Sequence, residues 1–139
     1  MDKTAIKTFA INSRRKLMED VEYRMSLVGI TKDGIQDSIS DADGIQTFDI
    51  GGATHSIYDE DIKKREDLIK EVNNKGFENV VEEVAYTWFN RIIAIRFMEV
   101  NDYLPTRTRV LSSDTPGKTE PDMITEAFNI DLDYTPRFF

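Results

Sequence analysis

Apolar side chains recur at helical spacing over residues 4–28, where Ile6, Phe9, Ala10, Leu17, Val21, Met25 and Val28 share a stripe. Asp2 or Thr4 can cap the start of this helix, and Gly29 stands where a glycine commonly stops one. Residues 31–44 read as a loop, because Asp33-Gly34, Asp41 and Asp43-Gly44 are turn formers. A short helical turn fits around residues 35–39. The one strand pattern lies at 45–58, two short runs separated by Gly51-Gly52, which predicts a tight hairpin.

A second helix is predicted over residues 59–75. Asp59, Glu60 and Asp61 open it and Lys75 closes it, the charge order that suits the helix dipole. Ile62, Leu68, Ile69 and Val72 supply its apolar side, and Gly76 ends it. Residues 77–100 are the densest apolar stretch. From Phe77 through Trp88, Phe89, Ile92, Ile93 and Phe97 to Val100, apolar side chains cover more than half the helix circumference. A helix apolar this far round is expected to be central and packed on several sides. Residues 107–111 suggest a short strand and 114–117 a turn. A last helix is expected at about 120–128, capped by Thr119 with Pro121 in its first turn. The chain closes on Phe138-Phe139, two aromatics where termini are usually polar, which suggests a cut within a longer protein.

The expected fold is mainly α, a single helical domain over residues 1–139 of about four helices with a small β-hairpin. Its 139 residues, 40% of them hydrophobic, suffice for one core. There is no cysteine, which excludes disulfides and thiolate zinc sites. The start carries no signal-peptide pattern and no apolar run is long enough to span a bilayer, so a cytoplasmic protein without a membrane partner is expected. The formal net charge of −8 opposes binding to phosphate at long range.

The chemistry of catalysis is missing. The single histidine, His55, sits in the predicted hairpin, where it is expected to face solvent, and cannot form a His-rich metal site. The four prolines follow Leu104, Thr115, Glu120 and Thr135, so no Asn-Pro, Asp-Pro or Pro-Pro step exists to receive the amine of a flipped adenine. The seven glycines include no Gly-x-Gly spacing for a nucleotide-like cofactor. Pro121-Asp122 has the look of half a metal-dependent nuclease site, but no lysine follows Lys118 to complete it. No catalytic, cofactor-binding or metal-ligating residue is assigned.

The run from Ala85-Tyr86-Thr87-Trp88-Phe89-Asn90-Arg91 through Ile95-Arg96-Phe97-Met98-Glu99-Val100 is distinctive. Asn101-Asp102-Tyr103-Leu104-Pro105 and Arg109-Val110-Leu111-Ser112-Ser113 follow it. With Lys3-Thr4-Ala5, Phe9-Ala10, Arg14-Arg15 and Lys75-Gly76-Phe77, this order resembles the amino-terminal region of the PglX family, the adenine-specific DNA methyltransferases of BREX phage-defence systems. The resemblance spans most of residues 1–113. One departure is Asn101-Asp102, where the family pattern has Asn-Gly; both pairs suit a turn. The resemblance implies an S-adenosylmethionine-dependent parent that methylates adenine N6 in DNA, with its cofactor loop and Asn-Pro-Pro-Tyr-type site downstream of this chain. Partners so implied are the parent's catalytic domain, duplex DNA and other BREX subunits.

Arg14, Arg15 and Lys16, with Arg24, are the best basic patch in this acidic chain, either a solvated helix face or a phosphate-positioning surface. Arg91, near Thr87 and Asn90, is a further candidate for contact with DNA or the methyltransferase domain. Arg96 lies on the apolar side and, if buried, needs a carboxylate such as Glu99, Glu82 or Glu83. Trp88 and Phe89 are expected in the core rather than as a stacking platform. The rival reading is a standalone acidic interaction protein, such as an inhibitor that mimics DNA charge. Acids and bases interspersed along the helices argue against it.

Overall fold

A computed structural model describes residues 2–128. Helix α1 (Lys3–Ser26) starts where expected, with the Asp2 carboxylate accepting from the Thr4 and Ala5 amides at 2.9 and 3.2 Å. It ends two residues earlier than predicted, and the chain turns through Gly29 into strand β1 (Ile30–Thr31). Gly29 has φ of +73°, and a Cβ there would lie 2.9 Å from the Gln36 carbonyl oxygen and 3.0 Å from the Phe48 ring. The turn therefore needs glycine both for its dihedral and for its space.

The predicted loop is not helical anywhere. Strand β1 pairs antiparallel with β2 (Gly34–Ile35), and β3 (Ser40–Ala42) pairs with β4 (Ile45–Ile50), which pairs with β5 (Ala53–Tyr58). Asp43 and Gly44 both hold positive φ, +54° and +76°, so Ala42 and Ile45 face each other across a two-residue hairpin turn. That turn chemistry extends the expected two-stranded hairpin by a strand. Gly51-Gly52 forms the second turn as predicted, with the Gly52 amide donating to Asp49 Oδ1 at 3.0 Å. His55, on β5, is partly buried rather than solvent-facing.

Helix α2 (Asp59–Lys75) and helix α3 (Phe77–Val100) match the predicted spans, separated by Gly76. A helix α4 is present but short, Asp122–Thr125, not 120–128. Thr119 does not cap it. The Asp122 carboxylate is instead bound to Ser113 and the Asp114 amide, leaving the helix without a side-chain cap. Residues 107–111 form no strand. The mainly α class stands, with two small antiparallel sheets of two and three strands. Phe138 and Phe139 lie outside the described residues.

The chain divides into two compact units, residues 1–89 and 90–139. In the first, Met25, Ile30, Val80 and Val81 form the buried cluster, with Met18, Val21, Leu68, Ile69 and Val72 packed around it. A second buried pair, Phe48 and Ile57, lies in β4 and β5. Arg65 joins these parts. Its guanidinium stacks 4.5 Å from the Phe48 ring centroid and donates 2.7 Å bonds to the Val28 and Gln36 carbonyls. It so ties α2 to the end of α1, the residue after β2, and β4. Removing it strands two carbonyls and a ring contact, so Arg65→Met is expected to cost about 2–4 kcal/mol. Arg65→Lys, lacking the planar fork, should recover less than half of that. Urea midpoints of the three proteins check both statements.

Candidate functional site

The sequence-predicted basic residues do not form one patch. Consecutive residues on a helix project about 100° apart, so Arg14, Arg15 and Lys16 point to three sides of α1. Arg14 is paired with Glu82 on α3, and Lys16 with Asp20 at 3.1 Å one turn along. Arg15 reaches only Asn12, at 3.4 Å. Arg14 and Arg15 border a groove of about 590 Å³ whose floor is Ala10, Ile11, Met18, Tyr86 and Phe89. Arg24 borders a different groove, of similar size, lined by Leu17, Val21, Leu68, Val84 and Trp88. Both grooves are apolar with charged rims. Arg91 is exposed and belongs to the second unit.

The expectation that α3 is enclosed holds only for its first half. Val80, Val81 and Ala85 are buried, whereas Trp88, Ile92, Ile93, Phe97 and Val100 are exposed. Trp88 is therefore not a core residue, while Phe89 is partly buried. Similarly, Ile6, Phe9 and Ile11 on the first half of α1 are exposed.

In the second unit the organising group is Glu99, which the sequence offered only as one of three possible partners for Arg96. Glu99, not Arg96, is the buried member of the pair: its side chain is fully covered, while that of Arg96 is 49% exposed. Glu99 Oε1 accepts from Arg96 at 2.6 Å and from the Ser112 hydroxyl at 3.0 Å. Oε2 accepts from the Val110 and Leu111 amides at 2.9 and 2.8 Å. These amides explain the missing strand at 107–111, since their donors go to a side chain and not to a neighbouring strand. Asp102, where the family pattern has glycine, takes the left-handed conformation at φ +56° and completes the turn after α3. Further on, Asp122 accepts from the Ser113 hydroxyl at 2.5 Å, the Asp114 amide at 2.9 Å and Lys118 at 3.0 Å. Both the Glu99 and Asp122 sites are occupied by the protein's own donors. Glu99 has four donors for its four acceptor positions and Asp122 has three.

Burial alone would push the Glu99 carboxyl up, but the Leu111 amide, Arg96, Ser112 and the Val110 amide together hold it below the usual carboxylate range. Asp122 is pulled down to about 2, first by the Ser113 hydroxyl, then by the Asp114 amide and Lys118. A carboxyl depressed in the folded state contributes stability that is present above its unfolded pKa and is lost as pH falls through its folded value. Protection of the Val110, Leu111 and Asp114 amides from hydrogen exchange is therefore expected at neutral pH. It should decline as pH falls below about 4, and for Asp114 the loss should still be in progress at about pH 2. Glu99→Ala, which removes both acceptor oxygens, should abolish the protection of Val110 and Leu111 already at pH 7, at a cost of about 2–4 kcal/mol.

Among the described residues no helix is long and apolar enough to cross a membrane, and no three His, Cys, Asp or Glu side chains gather as a metal site. No family model matches the chain. Comparison with curated proteins finds the adenine-specific methyltransferase PglX of Lacticaseibacillus casei (strain Zhang), 46% identical over 141 residues. The match takes in 96% of this chain and 12% of that protein. The adenine-specific methyltransferase BrxX of Escherichia coli O9:H4 (strain HS) is 35% identical over 123 residues, 86% of this chain and 10% of its own length. The chain thus spans about a tenth of the curated relatives it matches, and over that segment it is similar to the adenine-specific methyltransferases PglX and BrxX.

Proposed function

We propose that residues 1–139 are the non-catalytic amino-terminal module of a cytoplasmic adenine-N6 DNA methyltransferase in a BREX phage-defence system. The S-adenosylmethionine site and the adenine pocket belong to the remainder of that enzyme. This module scaffolds the catalytic domain and assists contacts with DNA or with other BREX subunits. The observation that carries the reading is the 46% identity running along 96% of the chain while covering only 12% of the relative. A match of that shape is what one module of a larger enzyme gives.

The DNA part of the proposal rests on Arg14, Arg15, Lys16, Arg24 and Arg91. Arg15 and Arg24 are its first members, since Arg14 and Lys16 already hold carboxylates. With a net charge of −8, such contacts position DNA held elsewhere and do not capture it. The rival DNA-mimic reading needs a face of uncompensated carboxylates. Instead Asp20, Asp61, Asp67 and Glu71 each pair with a lysine within about one helical turn.

Fluorescence anisotropy with duplex DNA tests the assisting role. The isolated module should bind weakly, at about 10⁻⁴ M or worse, and lose that binding near physiological salt. In the full-length enzyme, Arg15→Ala with Arg24→Ala should weaken binding about three- to tenfold and flatten the salt dependence by about one unit per lost phosphate contact. Unchanged affinity and slope would remove the DNA-contact role from these residues.

A further inference from the structure

The second half of α3 has two sides with different uses. On one, Glu99 is buried and holds residues 110–112, with Ile95 and Met98 partly buried beside it. On the other, Ile93, Phe97 and Val100 fall at i, i+4 and i+7, which places them along one stripe. They are 43%, 61% and 51% exposed, and Tyr103, 65% exposed, continues the stripe with its ring centroid 5.9 Å from that of Phe97. Charge is sparse along this stretch. Between Ile92 and Leu104 the ionisable acids and bases are Arg96, Glu99 and Asp102, besides Tyr103, and the first two are bonded to each other. Three large uncharged side chains in register on the helix, with Tyr103 just beyond its end, all exposed, are the composition of an interface and not of a solvated face.

We infer that this stripe seats on another part of the same methyltransferase polypeptide, against an apolar surface of the enzyme beyond this chain. The inference rests on the proposed function above. Most of the relative's length lies outside the match, and on the proposed function that remainder would be a covalently attached neighbour at high effective concentration. A second copy of this chain is the weaker candidate, because each copy carries the same net charge of −8 and the two repel. The contact is apolar, so it persists in high salt, unlike the DNA contacts proposed for Arg15 and Arg24.

Site-specific photo-crosslinking in the full-length enzyme tests this. p-Benzoylphenylalanine replaces Phe97, an exposed aromatic position that tolerates a larger ring, and Tyr103 in a second protein. The enzyme is irradiated at 0.1 M and about 1 M salt, and mixed light and heavy copies separate links within one chain from links between chains. Links from both positions to peptides beyond residue 139 of the same chain, of equal yield at both salts, are expected. Links only between copies, only to residues of this module, or lost at high salt, overturn the inference while leaving the proposed function standing. A native reading frame that stops at residue 139 overturns both.

Discussion

Helix α3 has to serve two sets of neighbours with one cylinder of side chains, and much of the structure follows from how it divides them. Its first half gives Val80, Val81 and Ala85 to the core of the first unit. Its second half gives Glu99 to the second unit, where a single carboxylate collects two side-chain and two backbone donors. That carboxylate fixes a loop that has no ladder of its own. What neither unit uses is the apolar stripe through Phe97, which remains exposed among the described residues. An apolar stripe left exposed on a helix has the composition of an interface.

The three long helices were legible in the sequence because apolar periodicity and punctuation agree. Asp2 caps, Gly76 stops α2, and the acid-to-base order over 59–75 fits the dipole; α1 ends at Ser26, with Leu27 as its C-cap, ahead of Gly29. The hairpin at Gly51-Gly52 was legible for the same reason. The third strand was missed because Asp43-Gly44 signals a turn without saying whether strands flank it. Pairing of Ser40, Asp41 and Ala42 with β4 is a tertiary outcome, and these residues have no apolar alternation to announce it. The last helix was overpredicted because Asp122, which looks like a first-turn acid, is used by Ser113, Asp114 and Lys118.

The candidate site was legible less well. Arg14, Arg15 and Lys16 read as a cluster in a line of text, but a helix turns them to different sides. Glu99 was one of three carboxylates offered to Arg96, with Glu82 and Glu83, and which member of the pair is buried was not readable, because both sit beside apolar neighbours at helical spacing. The exposure of Trp88 and Phe97 was also hidden, since an apolar pattern states what must be covered and not what covers it. The family, by contrast, was legible from the order of residues over 85–113, and the similarity to two adenine-specific methyltransferases bears that out. In the proposed function the modification is carried out elsewhere in the polypeptide, and this module holds that machinery in a working arrangement.

Adenine-N6 methylation by a split enzyme tests that account most directly. Three samples are compared with S-adenosylmethionine and duplex DNA: this module alone, the enzyme lacking residues 1–139, and the two mixed. The account predicts no methylation by the module, a large loss in the truncated enzyme, and recovery on mixing. Methylation by the module alone, or a truncated enzyme as active as the whole, would contradict it.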